Sequence, residues 1–310
     1  MAYSYMDLQN RLSASISKAD VTLYQGKVRD CFATPKHWYM VHSDRTSAFD
    51  RMIAEVPQKG VILAALTSYW HTYFKDVVPS AYVSCSHPRV LKMERLKPIK
   101  IEMIVRGYLT GSLARAYKQG DRKFCGATLP DGLVEYGALP ARLLTPTTKG
   151  DVGEHDENIS PQQAIDAGLC TPEVWKKLES YSLQLFEQGS QLFATKGWIL
   201  VDTKYEFGLD SEGEVRLMDE VHTPDSSRLW RLESYETALN QQIPPQAFDK
   251  DLIRRYLTRE HGFTGEGVVP PVPRELLEQL RETYLLMAQC LIPGFVLPHE
   301  QEMDVTHFGF

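Results

Sequence analysis

Cysteine is scarce in this chain, and none of it is paired by spacing. Cys31, Cys85, Cys125, Cys170 and Cys290 are odd in number and include no CxxC. That pattern argues against a disulfide framework or a structural zinc site and points to a reducing compartment. Long hydrophobic runs are missing too. Nowhere do about eighteen apolar residues follow one another, and the opening MAYSYMDLQNRL has no basic patch leading into an apolar stretch. The expectation is therefore no membrane span, no export signal and a cytoplasmic location. A basic excess is also lacking. A formal net charge of -6, from 34 Lys and Arg against 40 Asp and Glu, excludes a general nucleic-acid surface but leaves room for a local anion pocket. Internal repeats and low-complexity tracts are absent, which excludes a solenoid.

What remains is an ordinary globular composition, 43% hydrophobic and 24% charged, in 310 residues. That length allows one large unit or two modest domains around a cleft. The first hundred residues hold short apolar strand-like runs such as Trp38-Tyr39-Met40-Val41. One helical stretch interrupts them, with Ile62, Leu66, Tyr69 and Tyr73 recurring at spacings of three and four. A strand is predicted over Ile101 to Val105 and a polar loop from Leu144 to Ile159. Ser160-Pro161 with Gln163 reads as a capping box, and Thr171-Pro172 starts a longer helix that reaches Thr195 and ends at Gly197. After two strands between Trp198 and Val221, Pro244 and Pro245 set off a helical tail. From near Pro273 its apolar stripe is Leu276, Leu277, Leu280, Tyr284 and Met287, which suggests a brace packed on the larger part.

The most informative segment is Leu200 to Gly208, LVDTKYEFG. Alternation places Asp202, Lys204 and Glu206 on one strand face. With Asp210-Ser211-Glu212-Gly213 as the turn, a second strand follows in which Glu206 faces Leu217 and Lys204 faces Asp219. Carboxylates around a lysine suit a magnesium nucleotide, while the bland alternative is a solvated edge hairpin with cross-strand ion pairs. Two more segments carry cations beside glycine. Tyr24-Gln25-Gly26-Lys27-Val28-Arg29-Asp30 places Lys27 and Arg29 on one face if extended. It matches neither a P-loop nor a dinucleotide turn, and by itself reads as a hairpin turn with basic flanks. Ile101 to Ser112 joins a strand to a helix start, where Arg106, Gly111 and Ser112 form either a phosphate cradle or a capped helix with a surface arginine.

These segments together resemble the SAICAR synthetase family. LVDTKYEFG is similar to its second signature, Ile101 to Ser112 to its first, Thr148 to Ser160 to its TKxxxGEHDENIS loop, and Asp219 to Trp230 to its DExxTPDSSRxW run. The resemblance departs at Lys100, where the family has proline. It implies a mixed α/β fold, with a small N-terminal sheet lobe over residues 1–103. Residues 104–310 would form a larger ATP-grasp-like catalytic part, with the helical segment from about 244. It also implies ATP-dependent ligation of L-aspartate to carboxyaminoimidazole ribonucleotide in purine biosynthesis, with ATP and magnesium required and small-molecule substrates as partners, no nucleic acid or membrane among them, and the oligomeric state left open. By resemblance, Glu206 and Asp219 hold magnesium, and Lys204 contacts the nucleotide phosphates or the reacting centre. Gly26, Lys27 and Arg29 touch ATP. Arg106, Ser112 and Arg228 bind the ribonucleotide. Asp202 faces its imidazole, Lys149 its carboxylate, and Asp156 lies near the bound ligands. Catalysis would rest on Lys204, Asp202 and Lys149. Neither HDE nor DEVH has zinc spacing, and His155 is read as a loop anchor. Two rivals remain: a small-molecule kinase using the same hairpin, and a nucleotide-binding module without turnover.

Overall fold

The computed structural model describes residues 22–150 and 157–298. The chain folds into two compact units, and each is assembled from separated stretches of sequence. Within the described residues the first comprises 22–73, 81–95 and 250–298, and the second 74–80 and 96–249.

The first unit is built on an antiparallel five-stranded sheet. Its strands are β1 (Thr22–Gln25), β2 (Arg29–Ala33), β3 (His37–His42), β6 (Tyr82–His87) and β7 (Val90–Glu94), in the order β1-β2-β3-β7-β6. A separate hairpin pairs β4 (Arg45–Ala48) with β5 (Arg51–Glu55). Helix α1 (Lys59–Tyr73) packs on the sheet through Ile62, Leu63, Leu66 and Trp70, all buried. The stripe read from sequence is thus rotated slightly, because Trp70 turns inward while Tyr73 is 42% exposed.

In the second unit two twelve-residue strands, β8 (Lys97–Tyr108) and β13 (Trp198–Leu209), lie antiparallel at the centre of a six-stranded sheet. Between them in sequence come helix α2 (Gly111–Lys118), the small hairpin of β9 (Lys123–Phe124) and β10 (Ala127–Thr128), and strands β11 (Ala138–Leu144) and β12 (Thr147–Thr148). Helices α3 (Pro161–Asp166) and α4 (Pro172–Thr195) complete that stretch. Each long strand has two short neighbours on its outer edge: β11 and β12 beside β8, and β14 (Val215–Met218) and β15 (Ser227–Arg231) beside β13.

Local chemistry starts the helices where the sequence places them. Ser160 accepts from the Gln163 N–H and the Gln163 side chain accepts from the Ser160 N–H, a complete capping box. Thr171 caps α4, which then buries Trp175, Leu178, Leu185, Phe186 and Phe193 against the sheet. Tyr205 and Phe207 of β13 face this helix side, and Tyr181 approaches Phe207 with ring centroids 6.4 Å apart. The even-numbered residues of β13 consequently point to the other face.

After α5 (Leu232–Gln241) the chain returns to the first unit as α6 (Asp251–His261) and α7 (Arg274–Leu291). The stripe read as a brace is present, with Leu280, Tyr284 and Met287 buried, but α7 packs on α1 in the first unit. The Arg281 guanidinium there donates to the Gln58 side-chain oxygen at 2.6 Å. The boundary expected near residue 103 falls inside β8.

Candidate active site

Pairing between β8 and β13 sets the geometry of the site. Asp202 lies opposite Arg106, Lys204 opposite Ile104, and Glu206 opposite Glu102. Paired residues share a face, so the alternation that aligns Asp202, Lys204 and Glu206 also brings Arg106 and Glu102 onto the same surface.

At one end of this row stands an arginine–aspartate–arginine group. Asp202 is flanked by Arg106 from β8 and Arg228 from β15. Its Oδ2 lies 3.6 Å from Arg106 Nη1 and also takes a hydrogen bond from Arg228 Nη1. Arg106 Nε donates to Thr145 Oγ1 at 2.7 Å, and its Nη2 reaches Ser112 Oγ at 3.4 Å. Gly111 opens α2 with φ 61°, and a Cβ there would sit 3.2 Å from both Nη atoms of Arg228. The glycine therefore supplies both the left-handed turn and the space for the guanidinium. Burial lowers the pKa of Arg106, with Asp202 opposing that shift and Arg228 reinforcing it. Two guanidiniums thus converge on one carboxylate in largely buried surroundings. A phosphate accepts forked hydrogen bonds from such guanidiniums.

Lys204 occupies the middle of the row. Its Nζ lies 2.7 Å from Glu102 Oε1 and 2.6 Å from Glu206 Oε1. Burial alone would lower the pKa of this ammonium, but Glu206, Glu102 and Asp219 outweigh it, and the pKa is raised. Lys204 is thus a fixed cation. Sequence reading singled out Lys204 and Glu206 but missed Glu102. The signal was present in the strand Glu102-Met103-Ile104-Val105-Arg106, where alternation puts Glu102 on the face of Arg106.

The hairpin register differs from expectation by one residue. Glu206 lies opposite Met218, not Leu217, and β14 ends before Asp219, so Asp219 does not stand opposite Lys204 in the ladder. The cause is the turn. Asp210 N–H bonds Glu214 O at 3.0 Å, leaving a three-residue loop with Gly213 at φ 83°. The Asp210 carboxylate holds it by accepting from the Glu212 and Glu214 N–H groups and from Arg216 Nε. Asp219 reaches Lys204 electrostatically from a left-handed position beyond the strand end, with φ 64°.

Lys149 completes this cluster, since its Nζ bonds Glu206 Oε2. It stands where the polar loop leaves the sheet. Thr148 N–H donates to Glu157 O at 2.8 Å, and Lys149 N–H donates to Lys100 O at 3.1 Å, which anchors the base of the loop on β8. Asp156 and His155 lie outside the described residues.

The glycine turn belongs to the first unit. Gly26 N–H bonds Arg29 O at 2.8 Å, and Arg45, anchored to Asp30 at 2.8 Å, donates to the carbonyls of Gly26 and Lys27. Lys27 lies in the turn itself, not on a strand with Arg29, and pairs with Asp50 at 2.7 Å in an exposed setting. Arg29 begins β2 opposite His42.

Among the described residues no three His, Cys, Asp or Glu side chains converge as a protein-only metal cage. Magnesium usually needs fewer, since it retains waters and phosphate oxygens beside one or two carboxylates. Glu206 and Asp219 offer such hard oxygen donors, and the chemistry of the set fits. Both Glu206 oxygens are engaged by lysines, so a cation there would have to displace one of them.

Comparisons with known proteins converge on one family. The family model described as SAICAR synthetase matches residues 22–268. A phosphoribosylaminoimidazole-succinocarboxamide synthase from Bacteroides fragilis is 41% identical over 268 residues, covering 85% of each chain. One from Legionella pneumophila is 37% identical over 272 residues, 86% of each. Among solved structures, a SAICAR synthase from Saccharomyces cerevisiae complexed with SAICAR matches with a TM-score of 0.78 at 30% identity, over 90% of this chain and 97% of that one.

Proposed function

The chain belongs to the SAICAR synthetase family, and from that premise we propose that the charged face of β8 and β13 performs the ligation of L-aspartate to carboxyaminoimidazole ribonucleotide. As a member it is a carbon–nitrogen ligase of purine biosynthesis, and ATP use follows from that membership. One observation carries the assignment to this face. A two-arginine, one-aspartate group and a lysine held among three carboxylates share one surface of the paired long strands.

The two ends of the row divide the work. Arg106, Arg228 and Ser112 hold the ribonucleotide phosphate, and Asp202 orients both guanidiniums while facing the imidazole. Lys204 neutralises charge on the phosphoryl group in transit, and Lys149 meets the substrate carboxylate. Gly26, Lys27 and Arg29 of the first unit contact ATP. Glu206 and Asp219 would hold magnesium, which when bound neutralises nucleotide charge. Asp156 is proposed near the bound ligands on the strength of the loop motif alone.

Carboxylate oxygen is a poor leaving group, so amide formation needs activation. A carboxylate oxygen attacks the γ-phosphorus and ADP departs, giving an acyl phosphate. The aspartate amine then attacks the acyl carbon, and phosphate leaves with that oxygen as the nitrogen loses its proton. The protein contributes alignment and fixed charge. A cytoplasmic setting suits five free cysteines, and among the described residues no helix is long and apolar enough to cross a membrane.

A coupled ADP assay with each substrate omitted in turn tests this reading. ADP should form at the full rate only with both ribonucleotide and aspartate present. Steady, stoichiometric ADP release without aspartate, with a stable phosphorylated ribonucleotide, would identify a kinase instead.

A further inference from the structure

The link from β14 to β15 has a strained backbone. Asp219 and His222 both have left-handed φ, 64° and 50°, a region that non-glycine residues hold only where their surroundings over-determine it. Those surroundings are visible around His222. Its imidazole is fully buried, with Nε2 2.5 Å from the Tyr205 hydroxyl. The Phe74 and Phe193 rings lie beside it, with centroids at 5.4 and 6.0 Å. On α4 the residue under the ring is Gly189, where a Cβ would come within 2.1 Å of the imidazole Cε1. A mid-helix glycine is disfavoured by propensity, and here it makes a notch that one imidazole fills. Burial lowers the His222 pKa to about 3, so the ring stays neutral in its apolar surroundings. Tyr205 lies on β13 between Lys204 and Glu206. The mechanism above makes no use of His222.

We propose that His222 is a positioning residue for phosphoryl transfer: seated in the Gly189 notch and bonded to Tyr205, it fixes the left-handed turn that keeps Asp219 within electrostatic reach of Lys204. The Thr223 and Ser226 hydrogen bonds tie down the far end of the segment. His222 ties it to β13 and α4. The proposal rests on Asp219 being a ligand of the nucleotide's magnesium.

The test is calorimetric titration of magnesium into the ADP-bound protein, with product-ribonucleotide affinity and thermal midpoint as controls, for His222→Ala, His222→Gln, Tyr205→Phe and Asp219→Asn. His222→Ala and Tyr205→Phe should weaken magnesium binding by roughly tenfold or more while ribonucleotide affinity stays within about twofold, as for groups that orient metal ligands. His222→Gln, whose amide reaches the depth of Nε2, should recover most of the loss. Tyr205→Phe removes only a hydroxyl, so it decides the matter if His222→Ala does not fold. Normal magnesium binding in Asp219→Asn would refute the metal reading and the proposal with it. Weakened binding in Asp219→Asn but wild-type binding in folded Tyr205→Phe and His222→Ala would overturn the proposal alone. A parallel loss of magnesium and ribonucleotide affinity would also overturn it, because that is general destabilisation.

Discussion

Lys204 shows how a buried charge is kept. Burial disfavours its ammonium, and Glu206, Glu102 and Asp219 together more than compensate. The arginines work the other way, since two guanidiniums converge on one carboxylate, which suits the binding of an anion proposed for them. Arg106→Ala and Arg228→Ala should therefore weaken ribonucleotide binding by about 1.5–3 kcal/mol each, the scale of a charge-assisted hydrogen bond, or roughly ten- to a hundredfold. ATP affinity should change far less. Calorimetric titration with each ligand separates the two, and loss of ATP affinity with normal ribonucleotide binding would reverse the assignment of subsites. Lys149 leads to an opposite-signed prediction. Because it occupies one oxygen of Glu206, Lys149→Met should tighten magnesium binding to the ADP complex while turnover falls. Weaker magnesium binding in that variant would show that Lys149 supports the cation and does not compete with it.

Elements were legible in sequence where their signals are local. The Ser160 and Thr171 caps, the length of α4 and the alternation of β13 all depend on neighbours within a few residues, and they read correctly. The hairpin register did not, because it hangs on whether the turn has three or four residues, and the Asp210 side-chain bonds decide that. Strand β15 was also missed. Thr223-Pro224-Asp225-Ser226-Ser227 has the composition of a turn, and only pairing with β13 makes Ser227 a strand residue. One prediction belongs to this scale. The pKa of His222 falls from 6.5 to about 3 through burial. Its ring faces Tyr205, Phe74 and Phe193. The folded state then holds the ring neutral while the unfolded state protonates it below its ordinary 6.5, so its stabilisation is complete above that pH and is lost as pH falls toward about 3. Denaturant unfolding across this window should lose about 1.4 kcal/mol per pH unit less steeply in His222→Gln than in the wild type. Equal slopes would mean the imidazole is not held neutral.

For the whole molecule, the order of motifs from Tyr24 to Trp230 was enough to suggest the family, and a family match over residues 22–268 bears that out. The assembly of units was not legible. Residues before 74 and after 249 join in the first unit through contacts such as Arg281 with Gln58, which leave no periodic trace in either segment. Glu102 and Lys204 likewise meet across a hundred residues of sequence. The proposed function at this scale comes down to one covalent event, activation of the ribonucleotide carboxylate by ATP. Turnover with the two carboxylate oxygens labelled with oxygen-18 tests it directly. The account predicts one labelled oxygen in the released phosphate for each product formed, with the other retained in the amide. Unlabelled phosphate, with the second label released as water, would contradict the acyl phosphate and the role assigned to Lys204.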